Sequence, residues 1–493
     1  MLDIPAPLFA FDNSYARDLA GGYVRVAPAP VAAPRLVMFN TSLAAELGLD
    51  AARLAGEDGA AIFAGNILPA GAEPIAMAYA GHQFGGFSPQ LGDGRAVLLG
   101  EVIDVHGRRR DLQLKGSGQT PFSRRGDGRA ALGPMLRELI IGEALAGLGI
   151  ATTRALAVAA TGEPVYRERG LPGAVVTRVA ASHLRVGTFQ FFAARRDTDM
   201  VKRLADYAIA RHYPELAGSA QPYRAFLEQV VERQARLIAQ WMLVGFVHGV
   251  MNTDNMSISG ESIDFGPCAF MDGYHPGTVF SSIDEGGRYA YANQPPIAQW
   301  NLARLAETLL TLIDGDGDKA AAIATEIVNS FAPRFAGHWQ AGMAAKLGLA
   351  PAEEGDAGLI EAWLDLLRDE GADFTLAHRH LAAAALGEDA ALRSLWRNAQ
   401  PTEDWLARWR QRLARDGRSA EARAAAMNAV NPLFIARNHL VEAALAAAET
   451  DDLMPTRDLL AVLAEPFVEH PQRAALAALP PASDTPYRTF CGT

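Results

Sequence analysis

Asn255 and Asp264 stand nine residues apart, in the segments "HGVMNTDN" (His248 to Asn255) and "DFG" (Asp264 to Gly266). An amide oxygen and a carboxylate are hard donors of the kind Mg²⁺ or Mn²⁺ prefers, and magnesium completes its shell with water and phosphate. An Asx-rich turn between short strands is the plainer reading of the same residues. Other groups suit the phosphates. Gly92 and Gly94 in "LGDGRAVLLGE" precede a strand and let backbone amides approach an anion closely. They match neither the dinucleotide fingerprint nor the P-loop. A second glycine-rich loop, "KGSGQTPFSRRGDGRAALG", carries Arg124, Arg125 and Arg129 into a helix start, which itself favours an anion. Arg178 and Arg185 flank "VAASHL", where two guanidinium groups can clamp a triphosphate. An ordinary surface ion pair accounts for their spacing equally well. "DGDGDK" at 314–319 is no calcium loop, because Lys319 stands where glycine is required and Thr325 where glutamate is.

The elements that must position these groups change character along the chain. Residues 1–75 carry scattered Pro and Gly with one helical stretch, "TSLAAELGL", capped by Thr41 or Ser42 and ended by Gly48. Strands follow at Ala96 to Ile103, in "DLQLKGSG" and in "GAVVTRVA". In "DLQLKGSG", Leu112 and Leu114 face one side, so Gln113 and Lys115 face the other. "GPMLRELIIGEALAGLG" is a helix, with Pro134 in its first turn and Gly149 at its stop. From about residue 200 the pattern is helical, and "YRAFLEQVVERQARLIAQWMLVGFV" ends immediately before His248. A sheet-rich first part and a helical second part with a cleft between them predict a two-lobed α+β fold.

The totals set limits. The 493 residues, 49% of them hydrophobic and 20% charged, describe a globular chain of two or three domain-sized units or one enlarged enzyme. A net charge of −11 argues against a nucleic-acid-coating surface. No apolar run is long enough to span a membrane, and the first residues lack the pattern of a secretory signal, so the expected compartment is the cytoplasm. Two cysteines, Cys268 and Cys491, exclude a disulfide framework. Cys268 lies beside "DFG" and Cys491 near the end, a candidate redox pair if the tail folds back over the site. Two unrelated thiols are the alternative.

Together these segments follow the protein-kinase order: a strand lysine, a helix glutamate, an H-R-D-x-x-x-x-N loop, then DFG. Lys115 precedes Glu138 by 23 residues, and Glu138 is preferred over Glu143 as its partner because both following residues are apolar. One position departs from the pattern. Val250 stands where a kinase carries its catalytic Asp, the proton acceptor that contributes about 10²- to 10⁴-fold.

"YAGHQFGGFSPQLGDGRA", "LQLKGSGQTPFSRRGDGRA", "HGVMNTDNMSI", "IDFGPCAFMD", "NPLFIARNHLVE" and a near-terminal "FCGT" are together similar to the selenoprotein O family, from about residue 75 onward. The resemblance implies a pseudokinase-like fold working as a protein adenylyltransferase. Such an enzyme binds ATP in a flipped orientation and moves AMP to Ser, Thr or Tyr hydroxyls of proteins. Uridylylation from UTP with Mn²⁺ is implied for bacterial members. It further implies nucleotide contacts at Gly92, Gly94, Arg95, Lys115, Asp127, Gly128, Arg178, Arg185 and Asp264. Glu138 would orient Lys115, Asn255 and Asp264 would hold Mg²⁺ or Mn²⁺, and Asp254 would accept the proton. Cys491 occupies the position of the family's selenocysteine. The implied organisation is an N-terminal extension (1–75), a kinase-like N-lobe (76–181), a C-lobe (182–400) and a helical C-terminal extension (401–493). A conventional kinase and a silent ATP-binding scaffold are the other readings. Val250 counts against the first, and the retained lysine and metal residues against the second. The expected partners are protein substrates, with neither nucleic acid nor membrane.

Overall fold

The structure, a computed structural model, describes residues 8–482 and 487–490. Nine strands lie in the first part of the chain: β1 (Tyr23–Arg25), β2 (Arg35–Phe39), β3 (Ile75–Met77), β4 (Gly81–Gln83), β5 (Gly86–Ser88), β6 (Ala96–Ile103), β7 (Arg109–Lys115), β8 (Arg154–Tyr166) and β9 (Gly170–Ala180). Seven of them form one antiparallel sheet in the order β1-β3-β6-β7-β9-β8-β2, while β4 and β5 pair only with each other. The fold is mixed α and β, as expected. The three strands expected from alternation are β6, β7 and β9.

Three differences from the sequence reading have local causes. β8 was not expected, because "RALAVAATGEPVY" is alanine-rich and lacks a period-two pattern. Its extended state comes from pairing along both edges, with β9 and β2, a context that overrides propensity. β1 and β2 arise from the Pro- and Gly-rich opening stretch and close the two sheet edges. The early helix is capped by neither Thr41 nor Ser42. Asn40 lies just outside Thr41–Glu46, and its side chain accepts the Leu43 N–H at 3.0 Å.

The helix Leu132–Gly147 lies against β8 and β9 and buries Leu136, Leu139, Ile140 and Leu145. Its outer side is covered by the helices Asn438–Ala448 and Met454–Leu463, which return from the far end of the chain. They pack closely at Gly147, where a Cβ would stand 2.0 Å from the Leu463 carbonyl oxygen. Past Val186 the chain is helical, centred on Pro222–Leu243, whose Phe226, Leu227, Val230 and Val231 are fully buried. Each such side chain contributes about 1.5–3 kcal/mol. A short pair, β10 (Phe246–Val247) with β11 (Ala269–Phe270), closes the stretch 248–268 into a loop. Both chemistry-bearing motifs are held within that loop. Among the described residues, no helix is long and apolar enough to cross a membrane.

Candidate functional site

β7 and β9 supply the first cations. Gln113 on β7 sits opposite Arg178 on β9, and opposed residues share a sheet face. Lys115, two residues on, joins them on that face. Across the gap, Glu138 projects from the Leu132–Gly147 helix. Its Oε1 accepts Lys115 Nζ at 2.8 Å and the Phe265 N–H at 3.1 Å, and its Oε2 accepts Arg178 Nε at 3.0 Å. One carboxylate thus ties together the strand lysine, a sheet arginine and the DFG backbone. The competing candidate, Glu143, is bound to Arg154 instead.

Asp264 is the second anion. Its Oδ1 accepts Lys115 Nζ at 2.8 Å and also Arg178 Nη2, and its Oδ2 accepts Arg185 Nη1 at 2.8 Å. Burial would raise its carboxyl, but Arg178, Lys115 and Arg185 outweigh burial and hold it well below the usual range. Its backbone is left-handed, with φ 66°, a conformation asparagine and aspartate tolerate better than other side chains. Arg178 and Arg185 are both buried, so the surface ion-pair reading fails for each. Neither stands open as a phosphate clamp, since both are engaged with Asp264. Three cations face two carboxylates, and Arg95 lines the same space. The excess positive charge suits a polyanion.

That space is a cavity of about 410 Å³. Gly92, Gly94, Arg95, Lys115, Asp127, Gly128, Arg178, Arg185 and Asp264 all line it. Every residue expected to touch nucleotide therefore faces one cavity. Glu138, Asn255 and Asp254 lie outside its lining. Tyr79, Phe122 and Arg167 were not anticipated. Tyr79 lies beneath the Arg185 guanidinium, 4.7 Å from ring centroid to Cζ, and Arg167 grips Asp127 through both carboxylate oxygens at 2.8 and 3.2 Å. No pattern in the sequence marks these three residues.

The catalytic-loop candidates hang from buried structural bonds. His248 is fully buried, stacks on Trp241 and hydrogen-bonds the Ile263 carbonyl at 2.8 Å, immediately before Asp264. Val250 is buried, and its carbonyl accepts Asn255 Nδ2 at 2.9 Å. The Asn255 amide oxygen accepts no hydrogen bond from the described residues and remains as a donor atom for a cation. Asn255 and Asp264 together supply one amide and one carboxylate oxygen, which fits an ion that draws its other ligands from phosphate and water. Among the described residues, no group of three or more His, Cys, Asp or Glu is placed to hold a metal alone. Asp254 is buried, which pushes its carboxyl up to about 6 against the opposing pull of Arg185. Its Oδ2 accepts Gln83 Nε2 at 3.1 Å, and its Oδ1 has no partner.

Cys268 is buried, with its Sγ 3.2 Å from the Phe265 carbonyl. Cys491 lies outside the described residues. Thr489, two positions earlier, bonds the Pro267 carbonyl through its hydroxyl at 2.7 Å.

Comparison with known proteins gives the family. The family model described as protein adenylyltransferase SelO matches residues 9–464. The chain belongs to the SelO family. A protein nucleotidyltransferase YdiU of Cereibacter sphaeroides is 63% identical over 487 residues, covering 98% of this chain and all of that one. The YdiU proteins of Rhizobium rhizogenes and Rhizobium meliloti are 59% and 60% identical, each over at least 98% of both chains. As a member of the SelO family, the protein is a nucleotidyltransferase.

Proposed function

We propose that this SelO-family protein transfers AMP from ATP to Ser, Thr or Tyr hydroxyls of proteins and releases pyrophosphate. The observation that carries the reading is the pairing of a buried Val250 at the kinase base position with three cations, Lys115, Arg178 and Arg185, that line the cavity around Asp264. With no carboxylate at position 250, a γ-phosphoryl acceptor lacks its proton acceptor. A nucleotide bound in the reversed sense places its β- and γ-phosphates on the cations, and its α-phosphate faces the catalytic loop.

In this reading Lys115, Arg178 and Arg185 shift from Asp264 towards the phosphates as the nucleotide enters. Gly92 and Gly94 let backbone amides approach, and Glu138 keeps Lys115 aimed. Asn255 and Asp264 would hold Mg²⁺ or Mn²⁺, which supplies charge stabilisation at the α-phosphate when bound. The acceptor oxygen forms a bond to the α-phosphorus as the bond to the β-phosphate oxygen breaks. Asp254 takes the hydroxyl proton, and pyrophosphate carries away the electron pair. Its raised carboxyl suits a base near neutral pH. The sheet-rich part, the helical part and the loop between β10 and β11 support a two-lobed, protein-kinase-like architecture. Because the reaction consumes a nucleoside triphosphate, we read the compartment as the cytoplasm.

The test is isotopic. With a protein acceptor and Mg²⁺ or Mn²⁺, label from [α-³²P]ATP should enter the acceptor and label from [γ-³²P]ATP should not. A γ-label on the acceptor makes the protein a kinase. Tight ATP binding with neither label makes it a scaffold.

A further inference from the structure

The Gly81–Ser88 hairpin has no place in the main sheet, and a two-stranded hairpin alone is marginally stable in water. It is held by the catalytic loop. The His82 N–H donates to Thr253 Oγ1 at 2.7 Å, Gln83 Nε2 to Asp254 Oδ2 at 3.1 Å, and the Phe84 N–H to Asn252 Oδ1 at 3.1 Å. Three successive hairpin residues thus bond three successive loop residues, and the approach is close. A Cβ on Gly81 would stand 2.6 Å from Asp254 Oδ1.

The turn residues Phe84 and Gly85 both have positive φ, 52° and 87°, as a two-residue type I′ turn requires. Asparagine or glycine fills the first of these positions at little cost, whereas a bulky left-handed side chain costs on the order of 1–3 kcal/mol. Phe84 nonetheless sits there, 40% exposed, and Phe87 beside it is 42% exposed. Phe84 packs edge-on against Tyr289, and Phe87 against His82, which meets Trp300. The Arg288 guanidinium lies over Trp300, 5.1 Å from the ring centroid, and a Cβ on Gly85 would be 3.8 Å from it. Arg304, also over the Trp300 ring, is paired with Glu307. No carboxylate among the described residues pairs with Arg288. Its neighbour Asp284 spends both oxygens on the backbone N–H groups of Arg288 and Tyr289.

We propose that this hairpin is the acceptor-docking element: Phe84 and Phe87 seat the polypeptide flanking the target hydroxyl, Arg288 takes an acidic side chain from it, and Gln83 positions Asp254. The occupant is the acceptor segment itself, since a hydroxyl that gives its proton to Asp254 must arrive at this wall. Charge complementarity with Arg288, which meets no carboxylate among the described residues, makes that segment acidic. The inference rests on the transferase reading and goes beyond it by assigning the acceptor side.

The test uses the full chain, [α-³²P]ATP and three peptide pools with a central Ser, Thr or Tyr, their flanks being neutral, Asp/Glu-rich or Lys/Arg-rich. Wild type should favour the acidic pool. Phe84→Asn keeps a side chain that tolerates the left-handed turn while removing the ring. With Phe87→Ser, it should raise peptide KM about tenfold while kcat and ATP affinity hold. Arg288→Glu should shift the preference to the basic pool. Gln83→Leu should lower kcat about tenfold with peptide KM and ATP affinity unmoved, a split that a general packing defect does not give. If wild type transfers label while peptide KM stays within twofold in the ring variants and Arg288→Glu keeps the wild-type preference, the docking assignment is wrong. An equal loss of ATP affinity in the ring variants overturns it too. A wild type that labels no protein or peptide overturns the transferase reading, and this inference with it.

Discussion

Lys115 Nζ and Glu138 Oε1 lie 2.8 Å apart, and the same oxygen takes the Phe265 N–H. The pair therefore joins the sheet, the Leu132–Gly147 helix and the DFG segment at one buried point. Glu138→Gln keeps the volume and removes the charge, which leaves Lys115 and Arg178 to share Asp264 alone. Breaking such a buried pair costs about 3–5 kcal/mol. A thermal melt should show a loss on the order of 5 °C, and transfer should fall at least tenfold. An unchanged melt with normal transfer contradicts the role assigned to Glu138.

Asp264→Ala should abolish transfer and strongly weaken metal-dependent nucleotide binding, and its loss should exceed that of Asn255→Ala. Its carboxylate is the only anion of the donor pair, and its removal leaves Arg185 without that partner and Lys115 and Arg178 on Glu138 alone. Nucleotide titrations with and without chelator measure the metal-dependent part. Near-normal transfer by Asp264→Ala removes the metal assignment.

Lys346 is buried in the helical half with the Phe374 ring 5.6 Å away, and burial alone lowers its amine from 10.5 to about 7. A depressed base binds fewer protons folded than unfolded, so its contribution to stability rises with pH between about 7 and 10.5 and is lost as pH falls towards 7. Lys346→Met fills similar space without a charge to desolvate. It should raise the melting temperature at pH 7 by several degrees and flatten the rise between pH 7 and 10. Parallel pH–melting curves for the two proteins test this, and identical slopes refute it.

We propose that a peroxide-class oxidant takes two electrons from the Cys268 and Cys491 thiols, which lose their two protons as they join in a disulfide and hold the tail at the site. Thr489 already bonds Pro267, next to Cys268. Non-reducing peptide mapping after mild oxidation should recover the linked peptides, and transfer should fall until reductant is added. Activity indifferent to reductant, with no linked peptide, leaves two unrelated thiols.

What the sequence determined by itself is the local and the motif-borne. The alternation in "DLQLKGSG" placed Lys115 and Gln113 on one face, the apolar stripe at 135–145 made a helix, and the loop spacing brought out Asn255, Asp264 and Val250. Glu138 was preferred over Glu143 from its apolar neighbours, and the structure pairs it with Lys115. The tertiary structure alone decided the partners. Asp264 meets Lys115, 149 positions away, and the Gly81–Ser88 hairpin meets the catalytic loop 171 positions away. β8 is extended because β9 and β2 flank it, although its own residues carry no strand pattern. Dihedral preference and side-chain periodicity act over one or two turns of chain, so a short window records them. Ion pairs and strand pairings across a hundred residues depend on which surfaces the folded chain brings together, and no short window carries that information.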